Sequence, residues 1–140
     1  MKLLSPAISR LARLRMWRIE SWMNNPVSAQ REVLQDLVTT AQYTQFGHQY
    51  KFEKLFNIRD FKNTVPVREY DDFKPFIERM MSGEENILWP TPVKWFAKSS
   101  GTTSDRSKFI PVSEESLKDG HYKASKDVLT LYYNNFPASD

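Results

Sequence analysis

A chain of 140 residues, 40% apolar and 14% aromatic, has the length of one ordinary domain and enough apolar side chain for a core, which argues against intrinsic disorder. Its 20 Lys and Arg against 17 Asp and Glu leave a net charge of +3, too small an imbalance to announce a nucleic-acid or membrane partner. The lack of cysteine excludes a disulfide framework, a thiolate nucleophile and a thiolate zinc site, and His48 and His121 alone make a poor imidazole site, so no metal ligand is assigned.

No run of about 18 apolar residues that could span a bilayer is present, and the expected setting is cytoplasmic. Residues 1–24 predict a basic amphipathic helix, with Lys2, Arg10, Arg13, Arg15 and Arg18 all preceding the first acid, Glu20. At helical spacing Ile8, Leu11, Ala12, Met16, Ile19, Trp22 and Met23 share one broad apolar arc, into which Arg15 intrudes. The arginines interrupt any stretch that could serve as a secretory signal. A packed helix is the first reading; membrane-surface contact and targeting stand behind it. Asn25-Pro26 starts a second helix, Asn as cap and Pro where its missing N–H costs nothing. Val27, Leu34, Leu37, Val38 and Ala41 give that helix one stripe, Gly47 is its expected stop, and the two helices are expected to lie antiparallel.

Residues 48–64 are short in pattern and rich in aromatics, with Asp60 expected to cap a brief helical turn. Val65-Pro66-Val67 reads as extended because proline restricts the residue before it. Asp71 or Asp72 is expected to cap a helix with Phe73, Phe76, Ile77 and Met80 inward, closed by Ser82-Gly83. Ile87-Leu88-Trp89 reads as a buried strand, and two stronger strands are predicted at 93–99 and 108–112 around a small polar loop. Ser113, Glu114 and Glu115 open a last helix with Leu117, Ala124, Val128 and Tyr132 inward. No repeat or composition break divides the chain, so residues 1–140 read as a single incomplete domain.

The polar loop holds the chemistry. Ser99, Ser100, Gly101, Thr102, Thr103 and Ser104 gather hydroxyls around one glycine, with Arg106 and Lys108 just beyond. Backbone N–H groups and hydroxyls turned inward make a nest for anions such as phosphates, glycine permits the turn and lysine adds charge. The G-x-x-x-x-G-K-[ST] loop is excluded, since Arg106 stands at the second glycine position and no Gly-Lys pair exists. On composition alone the competing reading is a solvated hairpin turn. Glu78-Arg79 reads as a surface ion pair, His48 as a loop histidine, His121 as solvated, and Trp89, Trp95 and Phe96 as core.

The stretch from Ser99 to Pro111 resembles the phosphate loop of the adenylate-forming superfamily that includes firefly luciferase and acyl-CoA synthetases. Its form Ser-Ser-Gly-Thr-Thr-x-x-x-x-Lys-x-Ile-Pro is similar to one branch, the auxin-responsive promoter family of acyl-acid amido synthetases. Gln30 to Gly47, Phe61 to Val67, Tyr70-Asp71-Asp72, Pro75 to Arg79 and Gly83-Glu84-x-Asn86-Ile87-Leu88 follow that family's pattern in order, so the resemblance covers residues 26–113. One departure is Asp105, where many relatives carry glycine.

The resemblance implies an α/β fold, the partial N-terminal domain of an adenylate-forming enzyme, helix-rich with a β-hairpin carrying the phosphate loop. It implies ATP, with Mg2+ bound through the ATP phosphates, and a small carboxylic acid and an amine, usually an amino acid, as substrates. Ser99, Ser100, Gly101, Thr102 and Thr103 carry over as phosphate-binding residues and Lys108 as a charge contact, and no catalytic residue is assigned. The chain is expected to be an N-terminal fragment, inactive alone, whose partner is the remainder of the same enzyme chain, with no nucleic acid and no membrane. Two rivals remain: another acyl- or aryl-CoA ligase type of adenylating enzyme, and a non-catalytic helical interaction or membrane-surface module.

Overall fold

The computed structural model describes residues 5–99 and 107–136, as backbone only over 5–9. In chain order it has α1 (Ser5–Asn24), α2 (Pro26–Ala41), α3 (Gln45–Gln49), a 3-10 turn (Phe52–Lys54), α4 (Ile58–Thr64), α5 (Tyr70–Met81), β1 (Trp95–Lys98), β2 (Phe109–Val112), a π-helical segment (Ser116–Tyr122) and α6 (Lys123–Asn135). The helix-rich α/β expectation with one hairpin holds. The chain divides into two compact units, one drawn from residues 31–114 and the other from 1–30 and 115–140. Among the described residues no helix is long and apolar enough to cross a membrane.

In the 31–114 unit the core is built from Val38, Ala41, Phe46, Phe52 and Leu55, with Leu34, Tyr50, Phe61, Val65, Phe73, Phe76, Leu88 and Trp89 packed against it. Phe46 is its hub, with the rings of Tyr50, Phe52, Phe73 and Phe76 around it at centroid distances of 4.8, 6.0, 5.8 and 6.1 Å. These are offset and edge-to-face spacings that the aromatic quadrupole favours.

Gly47 does not end α2. It lies buried inside α3, where a Cβ would stand 2.1 Å from the Ala41 carbonyl oxygen, so its role is close backbone approach. Thr44 caps this short helix: its buried Oγ1 accepts from Gly47 N–H at 3.0 Å and donates to the Ala41 carbonyl at 2.7 Å. The next two N–H groups, of Gln45 and Phe46, donate to the carbonyls of Asn86 and Ile87 at 2.9 and 3.0 Å. Ile87 is thus buried, as expected, but it sits in a bend and not in a strand, because its carbonyl is used by a helix end.

Other caps move by a residue or more. Asn57, not Asp60, caps α4, its Oδ1 accepting from Arg59 and Asp60 N–H at 2.9 and 3.1 Å. Glu69, not Asp71 or Asp72, caps α5, and Asp72 completes a capping box by accepting from Glu69 N–H at 2.9 Å. Ile77 and Met80 are buried and Phe73 and Phe76 pack on the core, as their spacing predicted. Gly83 then takes a φ of 92°, the left-handed turn expected past α5.

The unit of 1–30 and 115–140 is a pairing of α1 with α6. The chain does not reverse at Asn25, as the expected antiparallel hairpin of α1 and α2 would require. Asn25 N–H donates to Ser21 and Ala29 N–H to Asn25, at 3.0 and 3.1 Å, so helical hydrogen bonding runs on through the junction. Arg15, the intruder in the apolar arc, finds its reason on α6: its Nε lies 2.6 Å from Asp127 Oδ1 and its Nη2 donates to the Lys123 carbonyl at 2.9 Å. Ile19 is buried, but Leu11 and Met23 of the same arc are exposed.

The inward face of α6 also departs from expectation, since Val128 and Tyr132 are exposed while Thr130 is buried and Asp127 and Leu131 are half-buried. A π-helical segment precedes it, and because a π-helical turn holds more residues than an α-helical one, α-helical spacing counted from Leu117 does not carry across it.

Candidate phosphate-binding hairpin

β1 and β2 pair antiparallel with Trp95 opposite Val112, Phe96 opposite Pro111, Ala97 opposite Ile110 and Lys98 opposite Phe109. The next rung is a closing pair. Ser99 N–H donates to the Lys108 carbonyl at 2.9 Å, and Lys108 N–H donates to Ser99 Oγ at 3.3 Å. Two of the sequence-derived site residues, Ser99 and Lys108, are thereby brought together at the neck of the loop, both half-buried. Ser100, Gly101, Thr102 and Thr103 lie outside the described residues, as do Ser104, Asp105 and Arg106.

The neck is anchored from α5. Phe109 N–H donates to Tyr70 Oη at 2.9 Å, the Tyr70 hydroxyl lies 3.3 Å from the Phe109 carbonyl as its donor, and Lys108 Nζ sits 5.4 Å from the Tyr70 ring centroid. Tyr70 is the first residue of α5, so the Glu69–Asp72 capping box fixes the backbone that carries it. Just before it, Arg68 bonds the Tyr50 hydroxyl and lies 5.4 and 5.9 Å from the Tyr50 and Phe46 ring centroids. The extended Val65-Pro66-Val67 stretch is therefore held at its end on the aromatic core. Sequence reasoning used Tyr70 only as part of a segment pattern; a half-polar aromatic directly after Glu69, the acid that caps α5, was the available signal.

The donor set at the neck suits an anion. Ser99 Oγ accepts from Lys108 N–H and keeps its own proton to donate, and Lys108 brings a positive charge. Among the described residues no three His, Asp or Glu side chains cluster as a metal site.

The other candidates are structural. Arg79 pairs with Glu84 and not with Glu78: its Nε donates to Glu84 Oε2 at 2.7 Å and its Nη2 also contacts the carboxylate. That hydrogen bond, with the guanidinium charge, holds the Glu84 carboxyl below the usual glutamate range, and Glu84 in turn raises Arg79 further. Glu78 faces Lys74 one turn back at 3.8 Å. His48 is exposed on α3, tilted against Tyr43 at 6.2 Å, and His121 is exposed in the π-helical segment beside Tyr122. Trp89 packs on the core as expected, whereas Trp95 is half-exposed.

Comparison with known proteins supports the resemblance read from the loop. The model of the GH3 family N-terminal domain matches residues 15–139. The indole-3-acetic acid-amido synthetase GH3.2 of Arabidopsis thaliana is 33% identical over 117 residues, which is 81% of this chain and 21% of that protein. The jasmonoyl--L-amino acid synthetase JAR4 of Nicotiana attenuata is 31% identical over 64% of this chain and 16% of its own length. Among solved structures, the GH3.15 acyl acid amido synthetase superposes with a TM-score of 0.73 at 25% identity, covering 84% of this chain and 21% of that one. The chain thus spans about a fifth of the length of the relatives it matches. With a family match running through helices, core and hairpin alike, the chain belongs to the GH3 family.

Proposed function

We propose that this chain supplies the phosphate-handling part of an ATP-dependent acyl-acid amido synthetase, within the large N-terminal domain of an adenylate-forming enzyme. The observation that carries the reading is the hairpin neck, where Ser99 and Lys108 close a Ser/Thr/Gly segment between two paired strands. Ser99, Ser100, Gly101, Thr102 and Thr103 present N–H and hydroxyl donors to the ATP phosphates, and Lys108 adds charge. Mg2+ would arrive on the phosphates and keep much of its water, since it dehydrates reluctantly.

In the first half-reaction a carboxylate oxygen of the acid bonds to the α-phosphorus of ATP, the α–β phosphoanhydride bond breaks, and pyrophosphate leaves. In the second, the amine nitrogen bonds to the acyl carbon, the acyl–oxygen bond breaks, AMP leaves, and the nitrogen loses a proton to solvent. The loop's contribution is electrostatic and positional: it holds the departing phosphates away from the incoming carboxylate, in line for displacement. The acid and amine substrates are small molecules, as the names of the relatives indicate for those proteins. A soluble, cytoplasmic setting accompanies this reading.

The test is acid-dependent ATP–pyrophosphate exchange by the natural protein and its Ser100→Ala and Thr102→Ala variants. Exchange should fall at least tenfold, the scale of a lost transition-state donor, with an unchanged unfolding midpoint. Folded variants that exchange at the wild-type rate would remove the loop from the mechanism.

A further inference from the structure

We infer that Tyr70 is a positioning residue for the phosphate loop, acting through β2 and Lys108; this rests on the phosphate reading of the loop. In an antiparallel pair the N–H and carbonyl of one residue point to the same edge, and successive residues alternate edges. Lys108 turns its backbone inward, to Ser99, so Phe109 must turn its own outward, away from β1. Its N–H and carbonyl are the groups that meet the Tyr70 hydroxyl, at 2.9 and 3.3 Å.

One phenol thus acts as a stand-in for a third strand at the residue next to the loop neck, and satisfies both backbone groups of an otherwise open edge. The same ring holds the Lys108 ammonium 5.4 Å from its centroid, within the range of cation–π attraction. The two contacts fix different things. The hydroxyl sets where β2 leaves the loop, and the ring face limits where the Lys108 side chain can swing. Tyr70 is itself immobilised from both sides, by the Glu69–Asp72 box on α5 and by Arg68 on the rings of Tyr50 and Phe46. A rigid path therefore runs from the aromatic core to the loop's lysine, the kind of support that keeps a binding group from wandering by the ångström that matters.

The experiment is a double-mutant cycle on Mg·ATP binding by the natural protein, with Tyr70→Phe, Lys108→Met and the two combined, read by calorimetric titration. Tyr70→Phe keeps the ring and removes the hydroxyl; Tyr70→Leu removes both. Tyr70→Phe should weaken Mg·ATP binding about two- to tenfold, the worth of one or two strained or lost hydrogen bonds. In the Lys108→Met background the same change should cost less than about twofold, because the group being positioned is gone. Tyr70→Leu should weaken binding further, and amide exchange at Phe109 should quicken in Tyr70→Phe while the unfolding midpoint stays close to wild type.

Unchanged affinity in Tyr70→Phe, or an equal loss in both backgrounds, would overturn the inference, the second outcome marking a residue that only stabilises the fold. Should Tyr70→Leu fail to fold, the Tyr70→Phe cycle decides alone. A wild-type protein that binds no Mg·ATP would overturn the phosphate reading itself and the inference with it, which separates the two failures.

Discussion

Gly47→Ala is the most incisive perturbation of the unit that carries the hairpin. The new Cβ would stand 2.1 Å from the Ala41 carbonyl oxygen and 2.8 Å from that of Gln42, both backbone atoms that no rotamer change can clear. Carbon–oxygen contacts settle at about 3.3–3.6 Å, so the α2–α3 connection must open by about 1.2 Å or more. Opening it strains the Thr44 bonds to the Ala41 carbonyl and from Gly47 N–H, at 2.7 and 3.0 Å, around a hydroxyl with no access to water. Overpacking at about 1–3 kcal/mol, plus about 1 kcal/mol for each weakened buried hydrogen bond, predicts a loss of about 3–5 kcal/mol. Against a total stability of about 5–15 kcal/mol this is severe. Urea unfolding followed by far-ultraviolet circular dichroism measures it, with Gly120→Ala as control, since a Cβ there meets nothing within 4 Å. The control should be neutral or slightly stabilising. A Gly47→Ala midpoint implying under about 1 kcal/mol would refute the close-approach account of this glycine.

Two further outcomes test the other elements. Asp127→Ala should destabilise the α1–α6 pairing by about 1–3 kcal/mol, because it strands Arg15 whereas the side chains of the pair are only 24% and 22% exposed. The double change Arg15→Leu with Asp127→Leu should cost less than Asp127→Ala alone, and a larger cost by thermal unfolding would contradict a desolvated pair. For Glu84, whose folded carboxyl is held below its unfolded value by Arg79, the contribution is fully present above the unfolded glutamate range and is lost as pH falls through the lower folded value. The unfolding midpoint of wild type should therefore exceed that of Glu84→Gln near neutral pH and converge with it in acid. A gap independent of pH would disprove the linkage.

Local signals were legible where the physics is local. Proline marked the start of α2 and the extended approach to α5, the glycine past α5 marked a left-handed turn, and alternation around a polar loop marked both strands of the hairpin. The loop itself was legible as chemistry, because five hydroxyls and a lysine around one glycine are informative before any fold is known. What sequence periodicity could not show was which groups at distant positions would need one another. Ile87 reads as a strand residue until the free N–H groups of α3 claim its backbone and that of Asn86. Arg15 reads as an error in an apolar arc until Asp127 comes to meet it.

The sequence alone therefore determined the family, the long helices, the hairpin strands and the candidate phosphate segment, since each depends on residue types a few positions apart and on motif order. The tertiary structure decided what remained: that Gly47 is a contact and not a stop, that α6 buries Thr130 and exposes Val128, and that Tyr70 holds the loop neck. Those outcomes depend on pairing unsatisfied backbone groups and charges across long stretches of chain, and such pairings are settled only when the chain has closed on itself.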